Sequence, residues 1–91
     1  MKQIVWNLVK SDALKNSRGV SFEEISQYLE LGHVIDVMDH PNQLKYPGQR
    51  MFVLQINGYI YLVPFVENED VIFLKTIIPS RKATKKYLGE R

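Results

Sequence analysis

"RMFVLQINGYIYLVPFV", residues 50–66, decides how the rest of this chain can fold. Two alternating arms rich in β-branched and aromatic residues flank Asn57-Gly58, a pair suited to the two left-handed positions of a type I′ turn. The stretch predicts a β-hairpin whose paired residue numbers sum to 115. Pro64 cannot donate to a ladder, so it predicts an end to regular pairing or a bulge. Beyond a short "ENED" connection, "VIFLKTII" (71–78) reads as the next antiparallel strand, with paired numbers summing to 137. That register sends Arg50 and Lys75 to opposite sheet faces, because side chains alternate along a strand. Lys75 then reads as a surface residue.

Upstream, "HVIDVMD" (33–39) is a candidate strand, and "HPNQLKYPGQ" (40–49), with two prolines and a glycine, is a loop. "GVSFEEISQYLELG" (19–32) carries the strongest local signal. Ser21 and Glu24 have the spacing of a capping box, Val20 and Ile25 that of a hydrophobic staple, and Gly32 a stop. Phe22, Ile25, Tyr28 and Leu29 form one apolar stripe. Helix initiation accounts for both glutamates without any catalytic use. Residues 7–19 predict another helix, with Leu8, Val9 and Leu14 at loosely helical intervals and Gly19 as its stop. "QIVW" (3–6) fits either a short strand or the lead-in to that helix.

Downstream, "PSRKATKKYLG" (79–89) starts with the N-cap residue Ser80 and stops at Gly89. At helical periodicity Arg81, Lys82, Lys85 and Lys86 share one arc, and Ala83, Thr84, Tyr87 and Leu88 the opposite one. The whole is an α+β fold: N-terminal helices, a twisted antiparallel meander and a short C-terminal helix.

The 91 residues form a single domain, 45% hydrophobic and 24% charged, an ordinary globular composition. A chain this short buries only about 60% of its unfolded surface. The absence of cysteine excludes disulfides and thiolate metal sites. The opening "MKQIVWNLVKSD" has too short an apolar run for a signal peptide, and no run approaches the roughly 20 residues of a membrane helix, so the sequence predicts a soluble cytoplasmic protein with no membrane partner. Charge is unevenly placed. Residues 75–91 hold six cations against one anion, a net of +5, whereas the first 74 hold six against nine, a net of −3. Such polarity speaks to partners rather than to fold.

No serine lies in a glycine-flanked elbow and no phosphate-binding G-x-x-x-x-G-K occurs, which disfavours nucleophilic hydrolysis and nucleotide hydrolysis. His33, Asp36 and His40 match no common metal-ligand spacing, so the sequence calls for no metal and no cofactor. The cations fit phosphodiester chemistry better. A pentavalent phosphate needs positive groups on its oxygens, and arginine's fork holds two at once. RNA can be cut by its own 2′-hydroxyl, leaving the protein to supply position, charge and a proton. Arg81 follows a strand, Arg50 opens one, and Lys10, Lys15 and Lys45 are further candidates. Trp6, Tyr46, Tyr59 and Tyr61 could stack bases. A solvated basic helix explains the same charges equally well on pattern alone.

"GVSFEEI" taken with "IIPSRKATKKY" resembles the BrnT-like toxins of bacterial toxin–antitoxin pairs, within the broader RelE-like group. The likeness runs nearly end to end through Trp6, Lys10, residues 19–25, Arg50, Ile77, Ile78, Ser80, Arg81, Ala83 and Tyr87. It implies a metal-independent endoribonuclease that arrests growth, assembled with and neutralised by a cognate antitoxin, usually a ribbon–helix–helix protein. Arg81, Arg50 and Lys10 are then the catalytic residues, and Lys82, Lys85, Lys86, Lys15 and Lys45 hold the RNA. Four positions depart from the family pattern, the first being Ser17, where the family usually has a lysine. Arg18 stands where the family has a histidine, Asn7 where it has an aspartate, and Pro79 precedes Ser80-Arg81. If that histidine moves a proton in the family, this chain lacks it, and an inactive protein that only binds an acidic antitoxin or nucleic acid is the alternative.

Overall fold

The computed structural model describes residues 2–89, so Glu90 and Arg91 of the basic C-terminal stretch lie outside the described residues. The Asn57-Gly58 turn sets the register of the central hairpin. Both residues adopt positive φ, 53° and 76°, and strands β3 (Arg50–Ile56) and β4 (Tyr59–Glu67) pair from Arg50↔Phe65 to Ile56↔Tyr59, the expected register. In chain order the other elements are β1 (Gln3–Val5), α1 (Leu8–Arg18), α2 (Phe22–Glu30), β2 (Asp36–Asp39), β5 (Val71–Leu74), β6 (Ile78–Pro79) and α3 (Arg81–Leu88). The sheet runs β1-β5-β4-β3-β2, with β6 also paired to β4. The fold is α+β, as the sequence predicts.

Several details differ from expectation. The sheet is mixed rather than antiparallel, because Gln3–Val5 is a strand and lies parallel to β5; two helices and the meander supply the long crossover that a parallel pair needs. The β4–β5 register sums to 139, not 137, with Phe65 opposite Leu74. Asn68 causes this: its Oδ1 accepts from the N–H groups of Asp70 and Val71 at 2.8 and 2.9 Å, so the turn closes within 68–71 and Glu67 joins the ladder. The shift is even, so Arg50 and Lys75 still belong to opposite faces. Finally, 71–78 is not one strand, and the candidate strand at 33–39 shortens to Asp36–Asp39.

The break in 71–78 is a bulge opposite Pro64. The Pro64 carbonyl accepts from the Lys75 N–H at 2.8 Å, so its ring nitrogen, with no proton, faces the same neighbour and cannot return the bond. Past this point Ile78 lies opposite Leu62, one residue later than the β5 register would place it. One residue has been inserted.

Both helices pack on the face of Leu54, Val63, Phe65 and Leu74, against which Phe22 and Ile25 are fully buried, each burial worth about 1.5–3 kcal/mol. Ser21 and Glu24 form the reciprocal capping box, and the staple residues Val20 and Ile25 are buried. Asn7 caps α1 by accepting from the Lys10 N–H, and Gly19 closes it at φ 78°. The α1 stripe differs from the expected one. Leu8 and Val9 are 68% and 79% exposed, and α1 buries Leu14 and Ser11 instead. The Ser11 hydroxyl donates to Glu23 at 2.6 Å and accepts the Phe22 N–H at 3.0 Å, fastening α1 to the start of α2.

The opposite face carries α3. Ser80 caps it by accepting from the Ala83 N–H. Thr84 accepts the Ile60 N–H at 2.9 Å and donates to the Ser80 carbonyl at 2.7 Å, and the Tyr87 hydroxyl donates to Asp36 at 2.8 Å. No α3 residue is fully buried, so the helix covers only part of this face. Among the described residues no helix is long and apolar enough to cross a membrane.

Candidate nucleic-acid interface

Among the described residues three clefts open on the part of this face that α3 leaves uncovered. Leu62, Pro64 and Val66 alternate onto it, spanning roughly 14 Å of β4, and each lines one cleft. At Val66 the space is about 410 Å³ and is bordered by Phe73 and Lys75. At Pro64 it is about 260 Å³, bordered by Lys10, Lys75, His40, Tyr46 and Gln49. At Leu62 it is about 300 Å³, bordered by Met38, Met51, Lys82, Lys86 and Tyr87. Among the described residues none of Lys10, Lys75, Lys82 and Lys86 has a carboxylate within ion-pair distance. Apolar floors with unneutralised ammonium groups at the rim suit a strand of phosphodiesters.

The bulge builds the middle cleft. In a regular strand Lys75 and Thr76 would face opposite sides; here Lys75, Thr76 and Ile78 all line the cleft, while Ile77 turns into the core and is fully buried. Because β1 lies parallel to β5 and ends beside Phe73, α1 begins level with this end of the sheet, and Lys10 reaches the cleft from there.

The 40–49 loop forms the facing wall and is braced internally. Gln43 Nε2 donates to the carbonyls of His40 and Gln49 at 2.7 and 3.1 Å, and its Oε1 accepts the Gly48 N–H. The His40 N–H donates to the Gln49 carbonyl. The His40 and Tyr46 rings lie 4.4 Å apart, and His40 Nδ1 accepts the Asn42 N–H at 3.0 Å.

The residues singled out from sequence divide. Lys10, Lys82 and Lys86 border the clefts. Arg81 is the exposed first residue of α3, and Lys85 is exposed in its last turn. Lys45 is exposed with its Nζ 5.4 Å from the Tyr46 ring centre. Arg50 is on the helix-covered face, 6.0 Å from the Phe65 ring centre, 3.6 Å from Glu67 and 3.9 Å from Asp39; the structure does not bring it together with Arg81. Lys15 pairs with Glu24 at 2.7 Å. Of the candidate stacking residues, Tyr46 lines a cleft, whereas Trp6 packs against Phe22 and Tyr59 against Tyr61. Lys75 and His40 line the middle cleft although neither reads as a site residue in the sequence. The sequence signals for this cleft are the strand alternation that puts Lys75 opposite the Arg50 face and Pro64 on the neighbouring strand, beside which the bulge forms.

Titration follows these contacts. The Tyr87 hydroxyl, then the Val37 N–H and more distantly Lys86, hold the Asp36 carboxyl below its ordinary range, and the same hydrogen bond pushes the Tyr87 phenol up. On the other face the Lys15 hydrogen bond lowers Glu24, and the Ser11 hydroxyl lowers Glu23. Trp6 Nε1 is buried without a hydrogen-bond partner and acts on Glu23 only from longer range.

Among the residues behind the BrnT-like resemblance, Ser21 and Glu24 cap a helix and Phe22, Ile25 and Ile77 are buried, while Lys10 and Arg81 are exposed. Comparison with family models, with curated proteins and with solved structures finds no match.

Proposed function

We propose that this chain is the toxin of a bacterial toxin–antitoxin pair, a BrnT-like endoribonuclease with a RelE-like fold that cleaves RNA without a metal and is held inactive by an antitoxin of ribbon–helix–helix type. The observation that carries this reading is the row of clefts along β4 with Lys10, Lys75, Lys82 and Lys86 at its rim. RNA would lie along that row with its phosphates at the lysines. Arg81 would neutralise the phosphate under attack, and Lys10 would assist it. Arg50, already between two carboxylates on the other face, has no part in a site of this shape. Induced expression should arrest growth and fragment transcripts, purified protein should cut RNA in the presence of a chelator, and Arg81→Ala should abolish cutting while the far-ultraviolet dichroism stays unchanged. Intact RNA and normal growth in the absence of antitoxin would refute it.

The separation of Arg50 from Arg81 and the replacement of the family's histidine by the exposed Arg18 favour a second reading, a catalytically inactive protein that uses the same face to hold nucleic acid or an acidic antitoxin. Cleavage by purified protein that disappears in Arg81→Ala excludes it.

A further inference from the structure

We infer that the middle cleft is a subsite for one phosphate of a nucleic-acid backbone, held by Lys10 and Lys75 and by a hydrogen bond donated from His40 Nε2, with His40 acting as a neutral donor rather than as a proton shuttle. This rests on the RNA-directed reading above and specifies where a phosphate sits. Lys10, from α1, and Lys75, from the start of the bulge, border the same space of about 260 Å³. The 40–49 loop fixes the imidazole. A backbone N–H can only donate, so the 3.0 Å contact from Asn42 requires an unprotonated Nδ1. The neutral ring then carries its proton on Nε2, which has no hydrogen-bond partner within the described residues. Giving that proton away would demand a new one on Nδ1, against the Asn42 N–H. His40 is thus built to donate to an anion and badly placed to shuttle protons. The Gln43 brace and the Tyr46 ring hold it in that pose before any ligand arrives.

Nuclear magnetic resonance of ¹⁵N-histidine-labelled protein tests this directly. The free protein should show His40 as the Nε2–H tautomer. Inorganic phosphate and a short oligouridylate should each shift Nε2, and the matched deoxyribose oligomer should do the same, since a phosphate is what is bound. Lys10→Ala, Lys75→Ala and His40→Ala should each weaken oligonucleotide binding about tenfold. His40→Gln, which keeps an N–H near the Nε2 position, should retain most of it. An Nδ1–H tautomer, an unresponsive His40, or a response to inorganic phosphate with none to either oligomer overturns the assignment. If His40 responds but the protein leaves RNA intact, the ribonuclease reading fails and the subsite stands. If RNA is cut and all three alanine variants bind and cut like the wild type, the subsite fails and the ribonuclease reading stands.

Discussion

On the face covered by α1 and α2, Lys15 meets Glu24 at 2.7 Å and Arg50 lies between Asp39 and Glu67; on the face carrying α3, Lys10, Lys75, Lys82 and Lys86 meet no carboxylate within ion-pair distance among the described residues. The first face also holds most of the fully buried side chains, while α3 buries none of its own. One side of a single sheet is thus neutralised and packed, and the other is left apolar in its floor and cationic at its rim. Folding accounts for the charge pairing of the first side. The second has cations at its rim that are unpaired among the described residues, and this is what supports the proposed nucleic-acid interface.

The division can be broken or sharpened by substitution. The largest effect should come from Phe22→Ala, which empties a fully buried site in the packed face and should cost about 3–5 kcal/mol in denaturant unfolding. A cost under about 1 kcal/mol would mean that this core is not what holds the molecule together. Next come two hydroxyls with matching jobs. Ser11→Ala should cost about 1–3 kcal/mol by stranding the buried Phe22 N–H. Thr84→Val strands the Ile60 N–H in the same way, but Thr84 sits on a helix that buries none of its own residues and can shift away, so the loss should be smaller. The reverse order would make α3 the better-packed element. Arg50→Ala should change stability by less than about 1 kcal/mol, as befits exposed pairs, and should leave RNA cleavage intact; lost cleavage with an intact fold would return Arg50 to the site.

Smallest and most gradual is the response to acid. Glu23, Glu24 and Asp36 all have folded-state pKa values below their ordinary ones. Their contribution is therefore present above the unfolded carboxylate range, about pH 4, and is lost as pH falls through the lowered values. A melting temperature that rises on acidification below that point would contradict these assignments.

Local chemistry makes much of the fold readable from sequence. Asn57-Gly58, the Ser21–Glu24 box and the Ser80 cap each act within a few residues, so their sequence signals translate directly into structure. Features that depend on distant partners are not readable in this way. The parallel pairing of Gln3–Val5 requires β5, and the exposure of Leu8 and Val9 reflects where α2 lies rather than any property of α1. The site is legible in part, through Lys10, Lys82 and Lys86. Strand alternation already puts Lys75 on the face opposite Arg50, but it says nothing of a cleft there; the bulge opposite Pro64 makes one by bringing Thr76 to the same side. His40 reads as a loop residue because only the folded 40–49 segment brings it to Lys10.

That one face of the sheet handles RNA while the other holds the fold is tested most directly by the salt dependence of RNA binding. Removing a single lysine–phosphate pairing should reduce the slope of log affinity against log salt by about 0.7 for a single strand. Lys82→Ala/Lys86→Ala should lower the slope by roughly 1.4, twice that single-strand value, whereas Lys15→Ala/Arg50→Ala should leave it at the wild-type value. Equal reductions in the two double variants, or a wild-type slope near zero, would contradict the account.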